Sequence, residues 1–156
     1  MKSIKRDFIE YISDEDEIPE YIENFNYINI HKQLDVIGNG QGIEQISKVY
    51  TTAKILNNKL IKTPKGESLE GIKLTGNRLV VYGEVLQRIQ YVAQNESQTM
   101  HIYNFSFAFM NFVDLPECYE PSKFYVADVY VEDVNVCKVS SHRIYSNLNL
   151  LIHVDL

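Results

Sequence analysis

The sequence predicts an all-β chain: a single-domain β-sandwich, or a partly open barrel, of about six to nine mostly antiparallel strands behind an N-terminal arm. Three stretches carry this expectation. From Arg78 to Val92 the odd positions are Leu79, Val81, Gly83, Val85, Gln87, Ile89 and Tyr91, a mostly apolar period-2 face that has to be buried. The run from Thr99 to Val113 is richer still, with Tyr103, Phe105, Phe107 and Phe109 on one side and Met100, Ile102, Ala108, Met110 and Phe112 on the other. Such a pattern predicts a strand covered on both faces. The third stretch sets Ile144, Ser146, Leu148, Leu150, Ile152, Val154 and Leu156 inward against Tyr145, Asn147, Asn149, His153 and Asp155 outward, and only Leu151 breaks the alternation.

Taken in order, Met1 to Ile12 places Ile4, Phe8, Ile9 and Ile12 at i, i+4, i+5 and i+8, which fits an amphipathic helix or a loose arm adding little to the core. Asp14, Glu15, Asp16 and Glu17 then run into Ile18-Pro19, an acidic linker that proline bars from continuing a helix. Tyr21 to Ile37 holds one or two short strands. Val49 to Ile55 and Lys59 to Thr63 flank Asn57-Asn58, and because Asn tolerates positive φ this predicts a tight hairpin. Pro64-Lys65-Gly66 predicts the turn into the central stretch, and Thr75-Gly76-Asn77 punctuates the approach to Arg78. Gly83, inside a strand, marks a bulge or a close backbone approach. The short polar segment Ala93 to Gln98 makes a hairpin of the first two core runs. Asp114 to Ser122 reads as a crossover loop, and Lys123 to Cys137 as a further strand. The exposed edges are expected in Met1 to Ile30 and in Ile144 to Leu156.

The chain has 156 residues and a formal charge of −6, with its Lys and Arg scattered. That balance argues against nucleic acid, whose nonspecific affinity grows with clustered basic contacts. No apolar run approaches the roughly 18 residues of a spanning helix, and no signal-peptide core follows Met1; the expectation is synthesis in the cytoplasm with no membrane insertion. Cys118 and Cys137 have no C-x-x-C partner, so neither a disulfide framework nor a thiolate zinc site is indicated.

Candidate chemistry is sparse. His31, His101, His142 and His153 fall on four separate elements without metal-ligand spacing. Ser140-Ser141-His142 resembles a nucleophile beside a base, yet neighbours on a strand point to opposite faces. The same geometry separates Glu132 from Asp133, the best carboxylate pair for a glycosidase. The acidic run lacks the spaced oxygens and glycine of a calcium loop. Gly38-Asn39-Gly40-Gln41-Gly42 lacks the Gly-Lys-Ser/Thr of a phosphate loop and reads as a tight surface turn. Tyr and Phe are numerous enough for a sugar-stacking platform, but their alternation with small and β-branched residues points to packing. The residues therefore predict no catalytic, cofactor-binding or metal-binding site, and no enzyme.

A family resemblance adds to this. The run Thr63 to Gly76, TPKGESLEGIKLTG, followed by Leu79-Val80-Val81-Tyr82-Gly83 and Ile89-Gln90-Tyr91-Val92-Ala93, resembles the SPOCS domain, the spore-coat-associated domain of clostridial endospore formers found in the N-terminal part of SipL. Gln98, His101, Phe109, Leu115-Pro116 and the Val131 to Val154 strand pair are similar to the rest of that domain. The likeness spans about Ile43 to Val154, which divides the chain into an arm and acidic linker at 1–20 and a SPOCS-like β domain at 21–156. It implies a stand-alone member without the LysM module of the larger ones. It further implies a structural, non-enzymatic assembly protein of the spore coat or exosporium, made in the mother cell and deposited on the spore surface. The partners would be a second copy of the chain or other coat or exosporium proteins. The alternative is a carbohydrate-binding or carbohydrate-active β-sandwich.

Overall fold

The computed structural model describes residues 2–13, 17–36, 41–121 and 123–156. They form eight strands: β1 (Lys2–Arg6), β2 (Ile9–Ser13), β3 (Phe25–Asp35), β4 (Ile43–Glu67), β5 (Lys73–Ala93), β6 (Met100–Asp114), β7 (Val126–Ser140) and β8 (Arg143–Asp155). One sheet has the order β1-β2-β4-β5-β6 and the other β3-β8-β7. All neighbours are antiparallel except β2 and β4, which run parallel. The chain is thus all-β, and its sheets pack as a sandwich without closing into a barrel.

The central hairpin forms as its alternation requires. Leu79, Val81, Val85, Gln87, Ile89 and Tyr91 of β5 are all buried, and β5 pairs with β6 from Arg78↔Asp114 to Val92↔Met100 without a register shift. Gly83 sits opposite Phe109. A Cβ there would lie 2.3 Å from the Phe109 ring and 2.5 Å from the Lys54 carbonyl oxygen, so the close-approach reading of this glycine holds. Opposite this hairpin, β8 supplies Ile144, Leu148, Leu150, Ile152 and Val154 to the core. Leu151, out of phase on the other face, is also buried. Leu156, expected inward, is exposed because it lies one residue past the end of β8.

Inside the core, Gln87 is buried with two polar partners, donating to Thr51 Oγ1 at 3.3 Å and accepting from Ser146 Oγ at 2.8 Å. Thr51 is on β4 and Ser146 on β8, so this bridge ties the two sheets. Buried polar groups are costly when unpaired, and replacing Gln87 with Leu strands both hydroxyls; the expected loss is about 1–3 kcal/mol, read from urea unfolding.

Several local expectations are overruled by packing. Residues 2–13 form a hairpin, not a helix. Asp7 and Phe8 take positive φ of 51° and 67°, the geometry of a two-residue turn matching strand twist. This places Ile9, Tyr11 and Ser13 on the buried face of β2. Tyr21 to Val36 does hold a strand as expected, a single one of 11 residues, β3. Asn57-Asn58 makes no turn: β4 runs through it for 25 residues, because the long partner β5 pairs with it on both sides of the Asn pair, with a bulge between Ile55 and Asn57. Asn58 instead accepts a 2.6 Å hydrogen bond from the Tyr125 hydroxyl. Pro64-Lys65-Gly66 likewise stays within β4, beside the register shift between Lys62 and Lys65. The reversal comes later, where Ser68 donates to Ile72 at 2.8 Å and Gly71 adopts φ 87°.

The edges also move. β8, expected at an edge, is the central strand between β3 and β7, while β1, β3, β6 and β7 end their sheets. β6 is buried on one face only: Met100, Ile102 and Met110 are 55%, 55% and 67% exposed. Phe107, on the inner face, is only half-buried, with Lys32 Nζ over its ring at 5.8 Å. Phe107→Ala should therefore cost about 1–2 kcal/mol in thermal or chemical unfolding, less than a fully buried ring would.

Candidate functional site

The sequence-derived candidates are dispersed. His31 Nδ1 lies 3.1 Å from the Tyr145 hydroxyl across β3 and β8. His101 stacks on Tyr91 with ring centroids 5.6 Å apart, and its Nε2 meets Thr99 Oγ1 at 2.9 Å. His153 is half-buried, and its Nδ1 has no hydrogen-bond partner. Cys118 and Cys137 are exposed free thiols. Among the described residues no three His, Cys, Asp or Glu side chains converge on a metal-sized site. Asp14, Glu15, Asp16 and Gly38-Asn39-Gly40 lie outside the described residues. Glu17 is exposed, and Gly42 packs so tightly that a Cβ would come within 2.8 Å of Ser141 Cβ.

Two stereochemical arguments change. Ser141 and His142 do approach, with Ser141 Oγ 3.0 Å from His142 Nδ1, because they form the β7–β8 turn instead of continuing a strand. Their main-chain carbonyls are held by the amides of Ile43 at 2.6 Å and Val36 at 2.8 Å, so the pair also pins this end of the sandwich. Glu132 is the extra residue of a bulge in β7 and Asp133 resumes the ladder after it. Asp133 accepts a 2.9 Å bond from Arg6 Nη2, which holds the guanidinium pKa above its usual value, chiefly by that hydrogen bond.

That ion pair belongs to the junction between the N-terminal hairpin and the second sheet. Beside it the Tyr11 hydroxyl donates to the Val136 carbonyl at 3.1 Å and accepts from the Val136 amide at 3.0 Å. Burial pushes the Tyr11 phenol pKa up. A raised tyrosine value contributes stability that is complete below about pH 10, the unfolded value, and is lost as pH rises through the folded value. The arm is thus part of the core, and the expectation that it adds little to it is corrected.

The outer face of the five-stranded sheet is accessible. Its β4–β5 side carries charge: Lys54 Nζ reaches Glu84 at 3.8 Å, and Arg88 Nε donates to Asn104 at 3.2 Å. Its β6 side exposes Met100, Ile102 and Met110 around Asn104, Ser106 and Ala108, with exposed Tyr82 of β5 opposite Met110 and exposed Leu86 opposite Ser106. β3 of the other sheet meets β6 where Asn26 Nδ2 donates to the Phe112 carbonyl at 2.8 Å, Asn111 Nδ2 donates to the Tyr27 carbonyl at 3.2 Å, and Lys32 Nζ lies over the Phe107 ring at 5.8 Å. Phe8, at the tip of the N-terminal hairpin, is 95% exposed. Sequence reasoning missed this surface because it assigned the even face of β6 to a second buried layer.

The family model described as SipL, SPOCS domain matches residues 42–139, 98 of the 156 positions. The match covers β4, β5, β6 and all but the last residue of β7. No curated protein and no solved structure matches the chain.

Proposed function

Because the chain belongs to the SPOCS domain family, a spore-associated family, we propose that it is a non-catalytic assembly protein of the endospore envelope, coat or exosporium, acting by docking to itself or to other envelope proteins. The observation that carries this reading is the apolar outer margin of the larger sheet, where Ile102, Met110, Leu86 and Tyr82 stand in water. Tyr82 and Met110 stand directly opposite each other on the ladder, and exposed apolar side chains grouped on a folded domain are a usual mark of a protein-binding surface. An unpaired sheet edge beside them offers main-chain hydrogen bonds to a partner. On this reading the chain is made in the mother-cell cytoplasm and reaches the spore surface by being captured there.

A fluorescent fusion of the full chain, expressed in a sporulating endospore former, is expected to form a shell around the forespore and to stay with purified spores. Replacing Met110 with Asp should disperse it, since the carboxylate would have to be desolvated in any interface formed there. Diffuse fluorescence in the mother cell with none in purified spores would overturn the proposal.

A further inference from the structure

The ladder between β5 and β6 fixes which way the β6 main chain points. Ala93 donates to the Thr99 carbonyl at 2.9 Å and Leu115 to the Asn77 carbonyl at 3.0 Å. Odd residues of β6 are therefore the ones bonded to β5, and even residues turn their N–H and C=O groups to the open edge. Phe112 agrees: its carbonyl is taken by Asn26 and its amide by the Asn111 side chain at 2.9 Å. From Ile102 to Met110 this edge has no charged side chain and no proline, and no register shift interrupts it. Those are devices that usually keep an edge from pairing; on the inner side, Lys32 of β3 lies over the Phe107 ring at 5.8 Å.

The residues along it read nearly the same in both directions. Around Ser106 the sequence is IYNFSFAFM: Phe105 mirrors Phe107, Asn104 mirrors Ala108, Tyr103 mirrors Phe109 and Ile102 mirrors Met110. We propose that β6 pairs antiparallel with β6 of a second copy of this chain, on a two-fold axis through Ser106. That axis sets apolar side chains opposite apolar ones and small or polar ones opposite their like. It also lies along the even residues, whose main-chain groups are the available ones. The half-buried inner rings of Phe105 and Phe107 would cover each other across the seam. Pairing stops at Met110, since Asn26 already holds Phe112.

The size is adequate for a weak dimer: nine residues span about 31 Å, and a sandwich some 20 Å thick along that length offers about 600 Å² per partner. The total of about 1,200 Å² is at the foot of the range for specific interfaces. The inference rests on the assembly reading above and names its partner and register.

Sedimentation velocity of the purified full chain from micromolar to millimolar concentration tests it. Wild type should pass from monomer to dimer. Ser106→Lys places two ammonium groups across the axis and should weaken the dimer by about a hundredfold or more. The substitution leaves the monomer intact, because the Ser106 hydroxyl already faces Glu84 at 2.6 Å; an unchanged melting temperature at low concentration checks this. Ser3→Lys is the matched control on the opposite edge strand, also beside a glutamate, Glu10 at 3.0 Å, and should dimerise like wild type. A wild type that stays monomeric, a Ser106→Lys protein that still dimerises, or equal loss in Ser3→Lys overturns the pairing. A monomeric wild type that nonetheless coats spores defeats the pairing alone. A β6-paired dimer that stays diffuse in sporulating cells defeats the envelope role alone.

Discussion

Replacing Tyr11 with Ala is expected to lower stability by about 4 kcal/mol or more, with a fall in melting temperature of at least about 10 °C for a chain of this length. The ring is 8% exposed, so its loss opens a cavity between the N-terminal hairpin and the smaller sheet. Its hydroxyl satisfies both main-chain groups of Val136, and these would be left buried without partners. Tyr11→Phe separates the two effects. It keeps the packing and should cost about 1–3 kcal/mol. It should also reduce the loss of stability above about pH 10, because the phenol that resists ionisation when folded is gone. Differential scanning calorimetry at neutral and alkaline pH measures both. A change below about 1 kcal/mol for Tyr11→Ala would return residues 2–13 to the status of a loose arm.

Gly83→Ala is expected to be comparably damaging, at about 3 kcal/mol or more, although it adds one methyl group. The new carbon would meet the Phe109 ring on one side and the Lys54 carbonyl on the other. The ring can turn away; the carbonyl belongs to the β4 ladder and cannot move without breaking it. Shrinking Phe109 to Leu should therefore relieve only part of the loss. Gly66→Ala gives the contrast. No atom lies within 4 Å of the added carbon there, and the substitution should be neutral or stabilising by up to about 1 kcal/mol. Chemical denaturation of the three variants reads the difference, and equal losses at Gly83 and Gly66 would refute the steric account.

The parts of the fold legible in the sequence were those where one residue step is one side-chain flip. β5 and β6 alternate strictly over their length, and β8 does so except at Leu151, so which residues share a face came out residue by residue. β4 was illegible for a definite reason: its register shifts between Ile43 and Gln45, Ile46 and Lys48, Ile55 and Asn57, and Lys62 and Lys65. Each shift resets the phase, so a continuous strand looks like fragments joined by turns. The N-terminal hairpin was hidden because Asp7-Phe8 carries none of the glycine or asparagine usual at positive φ. β6 was read as doubly buried because an apolar outer face and a buried one are the same pattern on paper. Ser141 and His142 depended on where β8 starts: as strand residues they would diverge, but in the turn just before Arg143 they touch.

The pairing of β3 with β8, from Phe25↔His153 to Asp35↔Arg143, bears on how the chain is made. Ribosomes deliver residues in order, at about 5–20 per second. β3 therefore emerges well before β8, the one strand it pairs with among the described residues, and β8 is what joins β3 to β7 there. The smaller sheet cannot begin to assemble before residues near 150 have left the exit tunnel. The β4–β5–β6 meander, built from neighbours in sequence, is free to form earlier. Folding limited by such distant contacts is slow, and through that interval the apolar residues Ile28, Ile30 and Leu34 of β3 stay uncovered. Nascent chains stalled between β7 and β8 should accordingly be the most dependent on a chaperone during synthesis.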